Sequence, residues 1–123
     1  MHPALQVHGA LARGAFAVAV LVSLAVLFSP AGQVPDAPPG VDKVVHAALF
    51  LALAVTGRWA GVRAVVLGGL LVGYGAVSEV LQAVTPVERS GSVADLLADV
   101  VGVALGLTAW AVGERSHRGR PGA

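Results

Sequence analysis

The stretch AVVLGGLLVGYGAVS, residues 64–78, carries no charged side chain, and Glu79 and Gln82 follow it within one helical turn. It does not alternate apolar and polar residues with period two. It is also longer than the ~9–11 residues of a membrane barrel strand, so helix is the reading that fits. In water its glycines would weaken a helix. In lipid, small residues let helix backbones approach closely.

Working outward, the same absence of charge recurs over residues 14–35, 44–57 and 100–113. A bilayer core of ~30 Å needs ~20 mostly apolar helical residues, so each helix must take in flanking polar positions. The predicted spans are 12–28, 43–59, 62–84 and 93–112. Composition agrees: 56% of the 123 residues are hydrophobic and 12% charged, against ~25% charged in a soluble domain. So few charges cannot cover a water-soluble domain, and a chain this apolar is not disordered. The expectation is an all-α, polytopic transmembrane bundle of four helices. It forms one domain over residues 1–113, followed by a disordered basic tail at 114–123.

Other classes fall away. Without cysteine there is neither a disulfide framework nor a thiolate metal site. A net charge of +1 with no clustered basic surface gives no reason to expect nucleic acid. Pro30, Pro35, Pro38 and Pro39 keep regular helix out of the first connection. Gly61 marks a tight turn in the second, and Pro86 and Gly91 mark the third. Gly69/Gly73 and Gly102/Gly106 are small-xxx-small pairs, each a candidate contact face.

Four spans put both termini and the 58–63 turn on one side, with Arg13, Arg58, Arg63, Arg115, Arg118 and Arg120. Only Lys43 and Arg89 lie on the other side. The positive-inside bias makes the arginine-rich side cytoplasmic. Residues 15–28 followed by Ser29-Pro30-Ala31 have the outline of a cleaved signal peptide, but the proline inside the cleavage site counts against that reading.

The ionisable residues inside the spans need a reason, since each costs ~2.5–3.5 kcal/mol at a helix centre and less near the ends. Asp42, Lys43 and His46 open the second span, Glu79 and Gln82 close the third, and Asp95 and Asp99 open the fourth. All these ends point outward in the predicted topology. Asp42/His46, Glu79/Gln82 and Asp95/Asp99 are each three or four apart, so each pair shares a helix face. The stripe from Asp95 through Asp99 continues to Gly102 and Gly106, placing the acidic face on a packing face. Arg89, in the loop, is close enough to join this shallow outward layer. Plain structural roles compete: Asp95 suits the positive end of a helix dipole, Lys43 snorkels to the interface, and the cations could form an ion-pair network with the carboxylates.

These residues carry a resemblance. Asp42-Lys43-Val44-Val45-His46 opens a hydrophobic helix, and Gly73-Tyr74-Gly75-Ala76-Val77-Ser78-Glu79-Val80-Leu81-Gln82 closes another. Arg89-Ser90-Gly91-Ser92, then Asp95-Leu96-Leu97-Ala98-Asp99-Val100-Val101-Gly102, and finally Gly106 follow in order. Over residues 42–106 the pattern resembles the VanZ-like family of small bacterial integral membrane proteins. It departs at Asp99, where the family usually shows Asn. The resemblance implies a multi-pass protein of the bacterial cell membrane with a role in envelope biology, and a link to teicoplanin-type glycopeptide resistance.

Three functions follow as expectations. The favoured one is an accessory or binding protein whose outward polar site, built from Asp42, Lys43, His46, Glu79, Gln82, Arg89, Asp95 and Asp99, takes a membrane lipid headgroup or a lipid-linked envelope precursor. The alternatives are a membrane-surface enzyme using the His and carboxylates, with or without a divalent metal, and a small transporter. No cofactor is predicted outright, no metal signature such as H-E-x-x-H is present, and an oligomer stays open.

Overall fold

The computed structural model describes residues 9–28, 41–84 and 93–118. Among them the chain forms four α-helices and no strand: α1 (Ala10–Leu27), α2 (Val41–Trp59), α3 (Ala64–Val84) and α4 (Val93–Arg118). Helices α1, α3 and α4 are long and apolar enough to cross a membrane. Their outer faces are apolar too, with Val65 85% and Leu21 65% exposed, a surface suited to lipid and not to water.

Helix α2 is the least apolar of the first three, with Asp42 and Lys43 in its first turn and Arg58 in its last. It also touches each of the other three and packs most extensively against α4. His46, Phe50, Leu53, Ala54 and Gly57 are buried along it, a spacing that keeps them on one broad face. Phe50, Leu53 and Ala54 join Leu27, Leu67, Leu71 and Val103 in the core.

The closest packing is between α2 and α4, and glycine makes it possible. A Cβ built on Gly102 would lie 2.3 Å from the Ala47 carbonyl oxygen, and one on Gly106 would lie 2.7 Å from that of Leu51. The contacts climb in step, from His46 with Asp99 to Arg58 with Glu114, so α2 and α4 run parallel. Helix α3 runs antiparallel to both: Gly57 meets Leu67, Phe50 meets Tyr74, and Gly68 faces Leu107. Helix α1 packs on α2 and reaches α3 through Ser23 Oγ and Tyr74 Oη, 2.9 Å apart.

The turn from α2 to α3 follows from one residue. Gly61 has φ 100°, its N–H donates to Arg58 O, and the Val62 N–H donates to Gly57 O, the two-bond closure of a Schellman motif. Helix α3 therefore begins at Ala64, two residues later than predicted.

Two expectations need correction. Residues 114–118, placed in a disordered tail, form the last turns of α4. Glu114 accepts a hydrogen bond from Trp110 Nε1 one turn earlier and lies 3.6 Å from Arg58 Nη2, contacts that carry the helix past Val112. Residues 119–123 lie outside the described residues. The second correction concerns Gly69 and Gly73: among the described residues nothing packs within 4 Å of a Cβ at either, and both are exposed, so of the two pairs Gly102/Gly106 is the one that forms a contact face there.

Gly102→Ala and Gly106→Ala are expected to push α4 off α2 and to cost about 1–3 kcal/mol each, the usual penalty for overpacking. Gly69→Ala and Gly73→Ala should be close to neutral. Unfolding of the four variants by denaturing detergent in mixed micelles reads the difference directly.

Candidate functional site

Three helices bring ionisable side chains to one end of the bundle, where α2 and α4 begin and α3 ends. His46 lies in the second turn of α2, on the same face as Phe50, and is 1% exposed. Asp95 and Asp99 are one turn apart on α4 and occupy the stripe that Gly102 and Gly106 press onto α2. Glu79 comes from α3, 8% exposed, on the turn after Gly75.

His46 Nδ1 and Asp99 Oδ1 are 2.7 Å apart, with both side chains 1% exposed. An ionised carboxylate only accepts, so Nδ1 carries the proton, and in a neutral ring the lone pair sits on Nε2. The second Asp99 oxygen, Oδ2, is shut off from solvent and accepts no hydrogen bond among the described residues. It points toward α3 where Gly75 leaves room: a Cβ there would lie 3.0 Å from it. Glu79 completes the group. One ligand-type atom each from His46, Glu79 and Asp99 lies within 4.8 Å of the others. Two ionised carboxylates at that separation repel by about 3 kcal/mol even at an effective dielectric of ~20. A positive charge between them, from a proton or a metal ion, removes that repulsion.

Asp95 has a different neighbour. Its Oδ1 is 2.9 Å from Lys43 Nζ across the α2–α4 seam, with Asp95 6% and Lys43 46% exposed at the side chain. This pair unites two of the structural roles foreseen from sequence, since Asp95 also stands in the first turn of α4, where a carboxylate suits the helix dipole.

Of the sequence-predicted residues, the structure therefore gathers His46, Glu79 and Asp99 into one cluster and sets Lys43 and Asp95 beside it as a pair. Asp42 opens α2 and Gln82 stands in the last turn of α3, but their side chains lie outside the described residues, as does the whole of Arg89. Sequence reasoning missed Gly75, whose missing side chain seats the Asp99 carboxylate. The one available signal was its position four residues before Glu79, on the same helix face. It also left Tyr74 and Ser78 without roles. Tyr74 stacks at a tilt on Phe50, 5.7 Å between ring centres, and meets Ser23. The Ser78 hydroxyl donates to the Gly75 carbonyl at 2.9 Å, a bond that holds it to the helix backbone and away from nucleophilic duty.

No family model, curated protein or solved structure matches this chain. The site must be judged on its own geometry.

Breaking one side of the buried pair is expected to be costly. His46→Leu leaves the Asp99 carboxylate buried without its donor and should destabilise the bundle by about 3–5 kcal/mol. The double variant His46→Leu/Asp99→Leu should recover a substantial part of that loss. A double-mutant cycle on detergent unfolding gives the coupling; additive losses would mean that the two residues act independently.

Proposed function

We propose that this chain is a VanZ-like, multi-pass protein of the bacterial plasma membrane that binds the polar headgroup of a membrane lipid or a lipid-linked envelope precursor. The observation supporting it is the gathering of buried ionisable side chains, among the described residues, at one end of the bundle. His46, Glu79 and Asp99 meet within the last turns of α3 and the first turns of α2 and α4, while the core below them is Phe50, Leu53, Leu67, Leu71 and Val103. At ~1.5 Å of rise per residue, Glu79 lies only ~7–8 Å from the α3 terminus. A headgroup reaches that depth, whereas a transport path would need polar groups through the apolar half as well. In this reading the protein is an accessory or binding protein of the cell envelope, and a role in glycopeptide resistance would follow from occupying such a precursor.

The orientation belongs to the same proposal. Arg58 closes α2, Arg115 and Arg118 close α4, and Arg63 lies in the turn between α2 and α3, so this end carries the basic charge. It also carries Trp59 and Trp110, residues that favour a membrane–water interface. The positive-inside rule puts it in the cytoplasm and the polar cluster on the outer face.

Two experiments test this. The chain has no cysteine, so Gln33→Cys and Arg63→Cys can be labelled one at a time in intact cells with a membrane-impermeant maleimide. Labelling of position 33 but not 63 is expected, and the opposite pattern overturns the orientation. Photocrosslinking to a lipid-linked precursor analogue should fall in Glu79→Ala and stay unchanged in Gly69→Ala. Equal crosslinking in wild type and Glu79→Ala removes the cluster from the binding site.

A further inference from the structure

We propose that His46, Glu79 and Asp99 form a binding site for one divalent transition-metal cation. The three residues come from three different helices and converge, each buried, with one donor atom apiece inside 4.8 Å. That spread suits a single small cation, whose ligands stand ~2.0–2.2 Å from it.

The second observation is the state of Asp99. The side chain is 0% exposed, one oxygen engages His46, and the other is solvent-inaccessible and accepts no hydrogen bond among the described residues. A buried carboxylate oxygen in that condition is costly, because it has given up water without a replacement. Gly75 holds the space around it open, and a Cβ at that position would sit 3.0 Å away. A cation supplies what Oδ2 lacks.

Charge and donor type narrow the cation. Two carboxylates with a neutral imidazole carry two negative charges, which a dication cancels inside a low-dielectric bundle. One nitrogen and two oxygens suit the manganese-to-zinc range better than calcium or magnesium, which prefer all-oxygen cages, or copper(I), which prefers sulfur. With no cation bound, the proton between His46 Nδ1 and Asp99 Oδ1 holds two of the three side chains together, and a cation that takes Nδ1 displaces that proton. Three protein ligands leave at least one position for an outside oxygen, such as water or a phosphate. The metal site goes beyond the headgroup reading and stands without it.

The test uses the full chain in mild detergent, stripped with a chelator and titrated with Co2+ alone. His2, His8 and His117 are changed to Ala so that terminal imidazoles do not compete, and the purification tag contains no histidine. One equivalent of Co2+ with visible d–d absorption is expected. Glu79→Gln and Asp99→Asn keep side-chain shape and should each weaken binding at least about tenfold, the lower end of what even outer-shell changes do to metal sites. Asp95→Asn should bind as the parent does. The inference is overturned if the helical, monodisperse parent protein binds no Co2+, if Glu79→Gln and Asp99→Asn bind like it, or if Asp95→Asn loses as much as Asp99→Asn. Photocrosslinking of the lipid analogue to chelator-treated protein separates the two ideas: crosslinking that survives while Co2+ fails to bind defeats the metal site and leaves the headgroup reading standing.

Discussion

The bundle depends on how closely α4 approaches α2. Gly102 and Gly106 remove the side chains that would otherwise meet the backbone at Ala47 and Leu51. That approach brings Asp99 within 2.7 Å of His46 and Asp95 within 2.9 Å of Lys43. Long side chains at 102 and 106 would separate the helices and leave two carboxylates buried in an apolar bundle without partners. Packing and polar chemistry are therefore one constraint: the glycine seam makes the buried charges tolerable, and the buried charges fix the register of the seam.

Both ends of that seam are tied. At one end stand the two acid–base pairs, at the other Arg58 and Glu114 with Trp110 beside them. Exposed ion pairs of the Arg58–Glu114 kind are worth little alone. Their effect here is geometric, because the parallel helices are anchored at each terminus and cannot slide by a turn without losing both anchors. Helices α1 and α3 pack against this pair, with Tyr74 resting on Phe50 and touching Ser23.

Much of this was legible in the sequence, and for stated reasons. The absence of charge over residues 64–78 marks α3, and the i, i+4 spacing of Asp95, Asp99, Gly102 and Gly106 marks one face of α4. Periodicity reports which residues share a face but not which helix that face meets. Hence Gly69 and Gly73, with the same spacing as Gly102 and Gly106, point outward and pack on nothing among the described residues. The cluster was legible as a layer of ionisable side chains, and the convergence of His46, Glu79 and Asp99 among the described residues was not. That convergence depends on rotation of α3 about its own axis, which seats Gly75 against Asp99, and local sequence does not encode it. The end of α4 was misjudged because Glu114 and Arg115 look like the start of a polar tail. Its local partner Trp110 and its tertiary partner Arg58 together carry Glu114 into the helix.

The parallel arrangement of α2 and α4 bears on how the protein is made. The least hydrophobic of the first three helices finds its principal partner in the fourth, and His46 and Asp99 are separated by 53 positions along the chain. Adjacent helices in a hairpin can pair as they leave the ribosome, but these two cannot. Until α4 arrives, Lys43 and His46 lack Asp95 and Asp99. The glycine seam and both of these pairs can therefore form only once α4 has been made.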